Sequence, residues 1–203
     1  MSIYGDYREV LEKVAADFVA KIEPDAEEVM KKTGVKPYEH LSSRIKNEKS
    51  MEAKCLEHGY PLDAHSALKL IHDSIGVRVV CLFIDDIWEN IERIRHMTGV
   101  RVVREKDYIR EAKANGYRSY HMIVEADSGV TDIDGNKPGK YFIEVQLRTI
   151  AMDTWAALEH EMRYKQDIRN PELIAEELRR CAGDLASCDV SMQTLRDLIR
   201  GKE

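Results

Sequence analysis

The sequence contains no long apolar segment, no secretion signal and no closely spaced pair of cysteines. No apolar run approaches the roughly 20 residues that a membrane-spanning helix needs. Residues 1–18 carry charges throughout, which is not typical of a signal peptide. The four cysteines, Cys55, Cys81, Cys181 and Cys188, form no Cys-x-x-Cys pair. The sequence therefore predicts a reduced, cytoplasmic chain with no membrane segment.

Charge and motif content also exclude several classes of site. The formal net charge of -6 at pH 7 argues against a surface that is coated with nucleic acid, although a local basic pocket for a small anion remains open. The sequence has no glycine-rich P-loop, no Rossmann fingerprint and no His-Glu-x-x-His motif. With 203 residues, 43% hydrophobic and 33% charged, the chain is expected to form one substantial globular domain, alone or with an arm.

Two stretches are predicted to form the strands around which the rest of the chain is organised. Residues 73–83 contain a β-branched run after a glycine, which predicts a largely buried strand with Asp73 before it and Arg78 on it. In residues 141–148, alternation places Glu144 and an arginine on one face. Two strands that each present an acid and an arginine suggest a site where carboxylates hold a metal and arginines hold phosphates.

A set of polar and basic side chains precedes the first of these strands. Residues 38–46 are predicted to form a strand that points Arg44 and Lys46 to one face. Ser50 is predicted to begin, and to cap, a helix that carries Lys54 one turn later. These four groups either converge on one polyanionic ligand or form a solvated basic edge, and their spacing alone does not decide between the two.

A polar loop between two later strands interleaves cations with tyrosines. The residues are Arg104, Lys106, Arg110, Lys113 and Arg118 with Tyr108, Tyr117 and Tyr120. A cation beside an exposed aromatic ring makes a platform for a base and its phosphates. The alternative is an ordinary hairpin loop with scattered charges. His121, taken alone, is interpreted as a strand histidine with satisfied hydrogen bonds.

Helical patterns flank this region at both ends. Apolar side chains in residues 4–22 recur at steps of three and four, which predicts an amphipathic helix, and Pro24 is expected to interrupt or restart it. Residues 174–199 show a seven-residue apolar repeat, which predicts either self-association or a helix that covers the domain's own core. Between them, later strands without intervening helices predict an α+β mixed sheet rather than a doubly wound one.

Five short motifs together resemble the synthetase domain of the RelA/SpoT family, and specifically its single-domain small alarmone synthetases. They span roughly residues 38–165 and are Ser43-Arg-Ile-Lys46 with Ser50 and Lys54; Asp73-Ser-Ile-Gly-Val-Arg78; Tyr108-Ile with Lys113-Ala-Asn-Gly-Tyr-Arg-Ser-Tyr-His121; Glu144-Val-Gln-Leu-Arg-Thr149; and Trp155-Ala-Ala-Leu-Glu-His160 with Tyr164-Lys165. The resemblance implies a nucleotidyltransferase-like fold, a mixed five-stranded sheet flanked by helices, in residues 36–168. Residues 1–35 would form an N-terminal helical arm and residues 169–203 a C-terminal helical oligomerisation segment.

The resemblance also implies an activity, the transfer of pyrophosphate from ATP to the 3′-hydroxyl of GTP or GDP, which yields (p)ppGpp and AMP. Asp73 and Glu144 would hold Mg²⁺, and Glu144 would accept the proton of the 3′-hydroxyl. The ATP side would consist of Arg44, Lys46, Ser50, Lys54 and Arg78, with the two arginines around adenine. The acceptor side would consist of Arg104, Lys106, Lys113, Asn115, Tyr117 and His121, with Tyr117 stacked on guanine.

Some points stay open beside this resemblance. The family usually has proline before the loop lysine, and Ala112 at this position predicts a less stiff loop and leaves the choice among GMP, GDP and GTP open. The family's small members are often homotetramers, so a homo-oligomer is implied, without a stable nucleic-acid complex.

One alternative function is that of a toxin-like pyrophosphokinase that modifies the 3′ end of tRNA, but this needs a basic surface that the acidic balance argues against. Another is a non-catalytic nucleotide-binding module, which would need no metal pair such as Asp73 and Glu144.

Overall fold

The computed structural model describes residues 2–164 and 170–201. Its centre is a sheet of the strands β1 (His40–Ile45), β2 (Ile75–Cys81), β3 (Val100–Asp107), β4 (Tyr120–Ser128) and β5 (Gly139–Thr149). The strands lie in the order β1-β2-β5-β4-β3. The β2–β5 pair is parallel, and the β1–β2, β3–β4 and β4–β5 pairs are antiparallel. The prediction of an α+β fold with a mixed five-stranded sheet is therefore confirmed.

Helices flank the sheet in the described part of the chain. They are α1 (Arg8–Thr33), α2 (Glu48–His58), α3 (Ile84–Arg95), α4 (Ile150–Tyr164) and α5 (Pro171–Ile199), with a short 3₁₀ turn at Gly5–Tyr7 and a π-helical turn at Ser66–Leu70. None of these helices is long and apolar enough to cross a membrane. The predicted boundary between residues 168 and 169, and Lys165 of the last motif, lie outside the described residues.

The hydrophobic core lies on one face of the sheet. The side chains of Val77, Ile143 and Val145 are at most 1% exposed. They pack with apolar side chains from α1 and α3, which include Leu11, Val14, Phe18, Ile87 and Ile91. Successive residues of a strand point to opposite faces. The even-numbered side chains of β2 and β5 therefore point to the other face, which is left for polar groups.

Pro24 does not interrupt the N-terminal helix, contrary to prediction. It lies inside α1, which continues to Thr33 and ends at Gly34 with a φ of 73°. Ile22 and Ala26, on either side of the proline, are 7% and 4% exposed. Burial of an amphipathic face supplies most of a helix's stability in a protein, so packing offsets the hydrogen bond that proline cannot donate.

The first strand and the helix after it begin at residues other than those predicted. β1 begins at His40 instead of residue 38. Ser50 does not begin or cap α2, because the helix already starts at Glu48 and the side chain of Asn47 accepts a hydrogen bond from the Lys49 backbone N–H at 3.0 Å. Asparagine is a strong N-cap and comes first in the chain, so Ser50 lies within the first turn.

The apolar repeat of the tail forms a single helix, α5, whose two halves differ. In the first half, Trp155 Nε1 donates a hydrogen bond to the Leu178 carbonyl at 2.8 Å, so this half lies against α4. In the second half, Asp189 and Arg196 are buried, whereas Leu195 is 59% exposed. The first half thus covers the domain's own core, and the second leaves apolar side chains at the surface.

Candidate active site

Asp73 and Glu144 line one cavity on the polar face of the sheet. β2 and β5 are parallel neighbours, and their register places Gly76 beside Glu144. Asp73 lies just before β2 and lines the same cavity of about 150 Å³ as Glu144. The parallel pairing thus brings together two carboxylates that are far apart in the sequence.

The same cavity collects most of the residues predicted for the donor nucleotide. It is lined by Ser42, Ser43, Arg44, Lys46, Asp73, Gly76, Val77, Arg78, Glu144 and Gln146. Arg44 extends across Gly76, where an added Cβ would lie 3.7 Å from Arg44 Cγ. Arg78 Nη1 lies 3.2 Å from Asp153 Oδ1, and burial lowers the pKa of this arginine. The cavity wall therefore presents two arginines and a lysine.

Asp73 lies at the centre of two ion pairs and keeps one oxygen unused. Lys46 Nζ and Lys54 Nζ donate to its Oδ2 at 2.7 and 2.6 Å. Its Oδ1 is buried and has no hydrogen-bond partner among the described residues. An unpaired buried carboxylate oxygen costs free energy, so this atom is suited to a further cation.

A magnesium ion fits this pair of acids. Mg²⁺ is usually held by one or two carboxylates together with phosphate oxygens rather than by a cage of protein ligands. Residues 2–164 and 170–201 contain no group of three or more His, Cys, Asp or Glu side chains that could hold a metal. Asp73 and Glu144 would therefore hold the ion together with a nucleotide.

Glu144 is hydrogen-bonded through both carboxylate oxygens. His121 Nδ1 lies 3.2 Å from Oε1, and Gln146 Nε2 donates to Oε2 at 2.8 Å. Burial by itself would raise the pKa of Glu144, but the hydrogen bond of His121 and its charge when protonated, the hydrogen bond of Gln146 and the charge of Lys54 outweigh it and lower the pKa to about 2. The carboxylate is therefore ionised at neutral pH and available to a proton or a cation.

A second cavity, of about 200 Å³, shares Glu144 with the first. It is lined by Lys54, Arg104, Glu105, Lys106, Tyr108, Lys113, His121, Ile123 and Glu144. β3 and β4 supply most of these groups, and their register pairs Lys106 with His121. The structure thus brings four of the predicted acceptor-side residues together beside Glu144: Arg104, Lys106, Lys113 and His121.

Tyr117 lies beside this cavity in a cluster of rings and cations. Its ring centroid is 6.1 Å from that of Tyr108, and Lys113 Nζ lies 4.8 Å from the Tyr117 centroid. Its hydroxyl lies 2.7 Å from His121 Nε2 and accepts a hydrogen bond from Arg148 at 2.6 Å. The loop is therefore a structured cluster, and both ring nitrogens of His121 have partners, as interpreted from the sequence.

Besides Tyr117, two further residues that were predicted to bind nucleotides lie outside both cavities. Ser50 is exposed on α2 and lines neither cavity of the described chain. Asn115 donates to Glu159 Oε1 at 3.2 Å and accepts from the Tyr117 backbone N–H at 3.1 Å. The Asn115 side chain thus shapes the loop in this structure.

Two residues of the site were given no role from the sequence. Gln146 lines the first cavity and binds Glu144, and its position two residues after Glu144 on the same strand face is a signal that was present. Asp153 receives Arg78 and Arg148 at 3.2 and 2.9 Å. No sequence pattern around Asp153 indicates this role, because the turn of the chain from β5 into α4 brings the residue to the site.

The sequence matches a known protein family over more than half of its length. The model of a region found in RelA / SpoT proteins matches residues 43–169. The GTP pyrophosphokinase YwaC of Bacillus subtilis (strain 168) is 38% identical over 149 residues, which cover 73% of this chain and 69% of the relative.

Solved structures extend the agreement to the whole fold. Small alarmone synthetase 1 from Bacillus subtilis bound to its product pppGpp has a TM-score of 0.82 at 28% identity, and the match covers 93% of this chain and 94% of that one. A structure of the same synthetase bound to AMPCPP has a TM-score of 0.76 at 26% identity and covers 94% of each chain. Since the family model matches more than half of the sequence and the fold agrees along nearly its full length, the chain belongs to the RelA/SpoT family.

Proposed function

We infer that the chain is a GTP pyrophosphokinase, which transfers pyrophosphate from ATP to the 3′-hydroxyl of GTP or GDP and yields the alarmone (p)ppGpp and AMP. The observation that carries this conclusion is the pair of cavities that share Glu144. Transfer between two nucleotides requires donor and acceptor to meet at one point in the right orientation. The similar relative is named a GTP pyrophosphokinase, and the similar structures hold pppGpp and AMPCPP, so the tRNA-modifying alternative is not favoured.

On the donor side, Arg44 and Arg78 would stack on adenine, since guanidinium planes stack on aromatic rings. Lys46 and Lys54 would bind the phosphates. Their ammonium groups already converge on a single carboxylate oxygen, at 2.7 and 2.6 Å, and therefore lie side by side for a polyphosphate. Ser50 would add its hydroxyl from α2.

On the acceptor side, Tyr117 would stack on guanine. Lys113 Nζ now lies over the rings of both Tyr108 and Tyr117, at 4.6 and 4.8 Å from their centroids. A base that stacks on this platform would replace the ammonium group, which would then turn to the acceptor phosphates. The remaining predicted acceptor residues that line the second cavity are Arg104, Lys106 and His121, whereas Asn115 would act through the shape of the loop.

We propose that Glu144 accepts the proton that the reaction releases. The 3′-oxygen attacks the β-phosphorus of ATP, and the bond from this phosphorus to the oxygen that bridges to the α-phosphorus breaks, so that AMP leaves. The proton of the 3′-hydroxyl passes to Glu144, which its pKa of about 2 keeps ionised. The lysines and arginines of both cavities neutralise the transferred group, as phosphoryl-type transfer requires.

We propose that Asp73 and Glu144 hold Mg²⁺ together with phosphate oxygens of ATP, as the unpaired Oδ1 of Asp73 supports. When bound, the ion would supply positive charge beside the transferred group. Calorimetry with a non-hydrolysable ATP analogue should show that Asp73→Asn weakens the magnesium-dependent part of binding by about tenfold or more. Asp17→Asn, which changes an exposed acid on α1, is the control. Unchanged magnesium dependence in Asp73→Asn would remove Asp73 from the metal site.

An acceptor assay tests the whole proposal. The purified chain is incubated with Mg²⁺ and ATP labelled at the β-phosphate, and with GTP, GDP, GMP or tRNA in turn. We expect label on a guanine nucleotide and none on tRNA, and the relative rates give the preferred acceptor. Label on tRNA alone would replace the proposal with the tRNA-modifying alternative, and binding of both nucleotides without transfer would leave a binding module.

We also propose that the chain is a homo-oligomer, with a tetramer as the expected state. The second half of α5 supports this, because Leu195, Leu198 and Ile199 are 59%, 69% and 85% exposed. Burial of such side chains between copies is favourable. Light scattering at micromolar concentration should give a multiple of the chain mass, and Leu195→Lys with Ile199→Lys should lower it. Leu62→Lys, at a 53% exposed leucine elsewhere, is the control. A monomeric wild type would contradict the proposal.

We further propose that the protein works in the cytoplasm. Its cysteines are free thiols in the structure, which suits a reducing compartment. Cell fractionation should recover the protein with the cytoplasmic enzymes, and recovery outside the cytoplasm would contradict this.

A further inference from the structure

We propose that Arg148 is the positioning residue of the site, since it fixes both oxygens of the Glu144 carboxylate through two hydrogen-bonded branches. One branch runs through Gln146 and the other through Tyr117 and His121. The inference rests on the proposed function, because Glu144 is there the group that accepts the proton. Arg148 itself lines neither of the two cavities of the described chain and would act through its neighbours.

Arg148 is buried and its guanidinium is held on every side. Its side chain is 5% exposed. Nη1 donates to Asp153 Oδ1 at 2.9 Å, and Nε lies 3.3 Å from Ser119 Oγ. Nη2 donates to both Tyr117 Oη and Gln146 Oε1, at 2.6 and 3.0 Å. The planar guanidinium therefore has a fixed orientation and presents Nη2 to both branches.

Arg148, which only donates, and the ionised Glu144, which only accepts, together set the direction of the hydrogen bonds in the two branches. Arginine carries only donors, so the oxygen of the Gln146 side chain must face it, and the Gln146 NH₂ group is left to donate to Glu144 Oε2 at 2.8 Å. The Tyr117 oxygen likewise accepts from Arg148, so its hydroxyl hydrogen is free for His121 Nε2, 2.7 Å away. His121 Nδ1 then carries the hydrogen that meets Glu144 Oε1 at 3.2 Å.

Arg148 and Glu144 between them thus select the orientation of an amide and the tautomer of an imidazole. Both selections deliver a hydrogen to Glu144, so the carboxylate is held between two fixed donors. A carboxylate held in this way keeps one orientation toward a reacting hydroxyl. This fixed orientation raises the rate of the reaction more than it changes the affinity for the substrate.

Asp153 joins this arrangement to the donor cavity. Its Oδ1 lies 2.9 Å from Arg148 Nη1 and 3.2 Å from Arg78 Nη1. Arg78 lines the cavity proposed for ATP. The same carboxylate oxygen therefore anchors an arginine of the donor cavity and the arginine that orients Glu144.

The test compares conservative variants with matched controls. Arg148→Lys keeps the positive charge and loses the planar guanidinium with its several N–H donors. Tyr117→Phe keeps the ring and loses the hydroxyl. Both should lower kcat about ten- to a hundredfold with little change in the acceptor KM. Arg196→Lys, at another buried arginine, and Tyr141→Phe, at a buried tyrosine whose hydroxyl donates to the Thr131 carbonyl, should leave kcat nearly unchanged.

A second readout is independent of turnover. Long-range ¹⁵N NMR of the metal-free protein, with the His121 signals assigned by comparison with His121→Asn, should show a hydrogen on Nδ1 and none on Nε2. Tyr117→Phe and Arg148→Lys should shift these signals, whereas Tyr141→Phe should not. A hydrogen on Nε2 alone in the wild type, or unchanged signals in both variants, would overturn the inference.

The two readouts separate this inference from the proposed function. A wild type that transfers no pyrophosphate to any acceptor would end the proposed function, while the His121 signals would still decide the role of Arg148. An active wild type whose Arg148→Lys and Tyr117→Phe variants keep full kcat would end the inference alone. If Arg148→Lys does not fold, Tyr117→Phe and Asp153→Asn test the same chain of contacts.

Discussion

The donor and acceptor halves of the candidate site are built in different ways. Three of the four donor cations lie on regular elements, Arg44 on β1, Lys54 on α2 and Arg78 on β2, and Lys46 comes directly after β1. In the acceptor half, Lys113 and Tyr117 lie in the irregular segment between β3 and β4. Sheet register and helix packing therefore position most of the donor groups. Individual loop contacts position Lys113 and Tyr117, which we call the acceptor platform.

These loop contacts lead to the C-terminal helix. A Cβ added to Gly116 would lie 2.5 Å from the Cβ of Ala182 on α5. Arg179, also on α5, donates to the Ala114 carbonyl at 3.2 Å. These contacts with α5 restrain a loop that has alanine, and not the stiffer proline, at residue 112. A change in α5 should therefore alter acceptor binding and leave donor binding unchanged.

The largest expected effect comes from the residue that both halves share. Glu144→Gln should lower the transfer rate by at least about a hundredfold, because an amide cannot accept the proton, while the ATP analogue still binds. Initial rates and calorimetry measure the two quantities. Glu125→Gln is the control, since Glu125 pairs with Arg101 and Lys140 and lines neither cavity of the described chain. A Glu144→Gln enzyme with the wild-type rate would refute the assigned role.

A change confined to the acceptor platform should affect the acceptor half of the site without affecting the donor half. Tyr117→Ala should weaken guanine-nucleotide binding by about ten- to a hundredfold, the usual cost of a lost base stack, and leave ATP-analogue binding unchanged. Equilibrium binding of each nucleotide is the measurement. Tyr60→Ala, at a tyrosine that stacks on His58, is the control. Equal weakening of both nucleotides would mean that Tyr117 does not belong to the acceptor half.

A smaller effect tests the contact between the loop and α5. Gly116 and Gly135 have φ values of 93° and 84°, so Gly116→Ala and Gly135→Ala share a backbone cost of about 1–2 kcal/mol. Only the Gly116 substitution meets Ala182, so it alone should raise the acceptor KM, by about three- to tenfold, with the ATP KM unchanged. Addition of Ala182→Gly should restore part of the loss. A matching change in the ATP KM would show that the halves are not separable.

The smallest effect concerns stability. The pKa of Glu144 is lowered from 4.5 to about 2 in the folded protein, so its ionised form stabilises the fold above pH 4.5 and this contribution is lost as the pH falls toward 2. Between pH 7 and pH 3.5 the wild type should lose about 1 kcal/mol more free energy of unfolding than Glu144→Gln. Urea unfolding at both pH values measures it. Identical pH dependence of the two proteins would contradict the lowered pKa.

Patterns within single elements predict much of this molecule. Alternation along two strands is enough to place Arg78 and Glu144 on a polar face, and the mixed sheet follows from the order of strands and helices. Alternation does not indicate that Asp73 and the loop residues belong to one site. The resemblance to the family's motifs supplies that prediction. Errors occur where a local signal competes with packing or with an earlier cap, as at Pro24 and Ser50.

Contacts between distant elements are the part that patterns do not predict. Asp153 reaches the site because α4 follows β5 at a particular angle, and Gly116 meets Ala182 because α5 packs over the loop. Neither contact leaves a periodic trace in the sequence. Nor does local spacing indicate that the Asn115 side chain turns to Glu159 instead of the acceptor cavity.

The two lysines that are ion-paired with Asp73 affect how a magnesium ion would enter the site. In the free protein, Lys46 and Lys54 are paired with Asp73, so their charges oppose the approach of a bare divalent ion. A triphosphate bound in the donor cavity would draw both ammonium groups toward itself and release the aspartate from its ion pairs. If Asp73 and Glu144 hold magnesium as proposed, this exchange favours entry of the ion as a complex with ATP, and the empty protein should bind little free ion at concentrations where the complex saturates it.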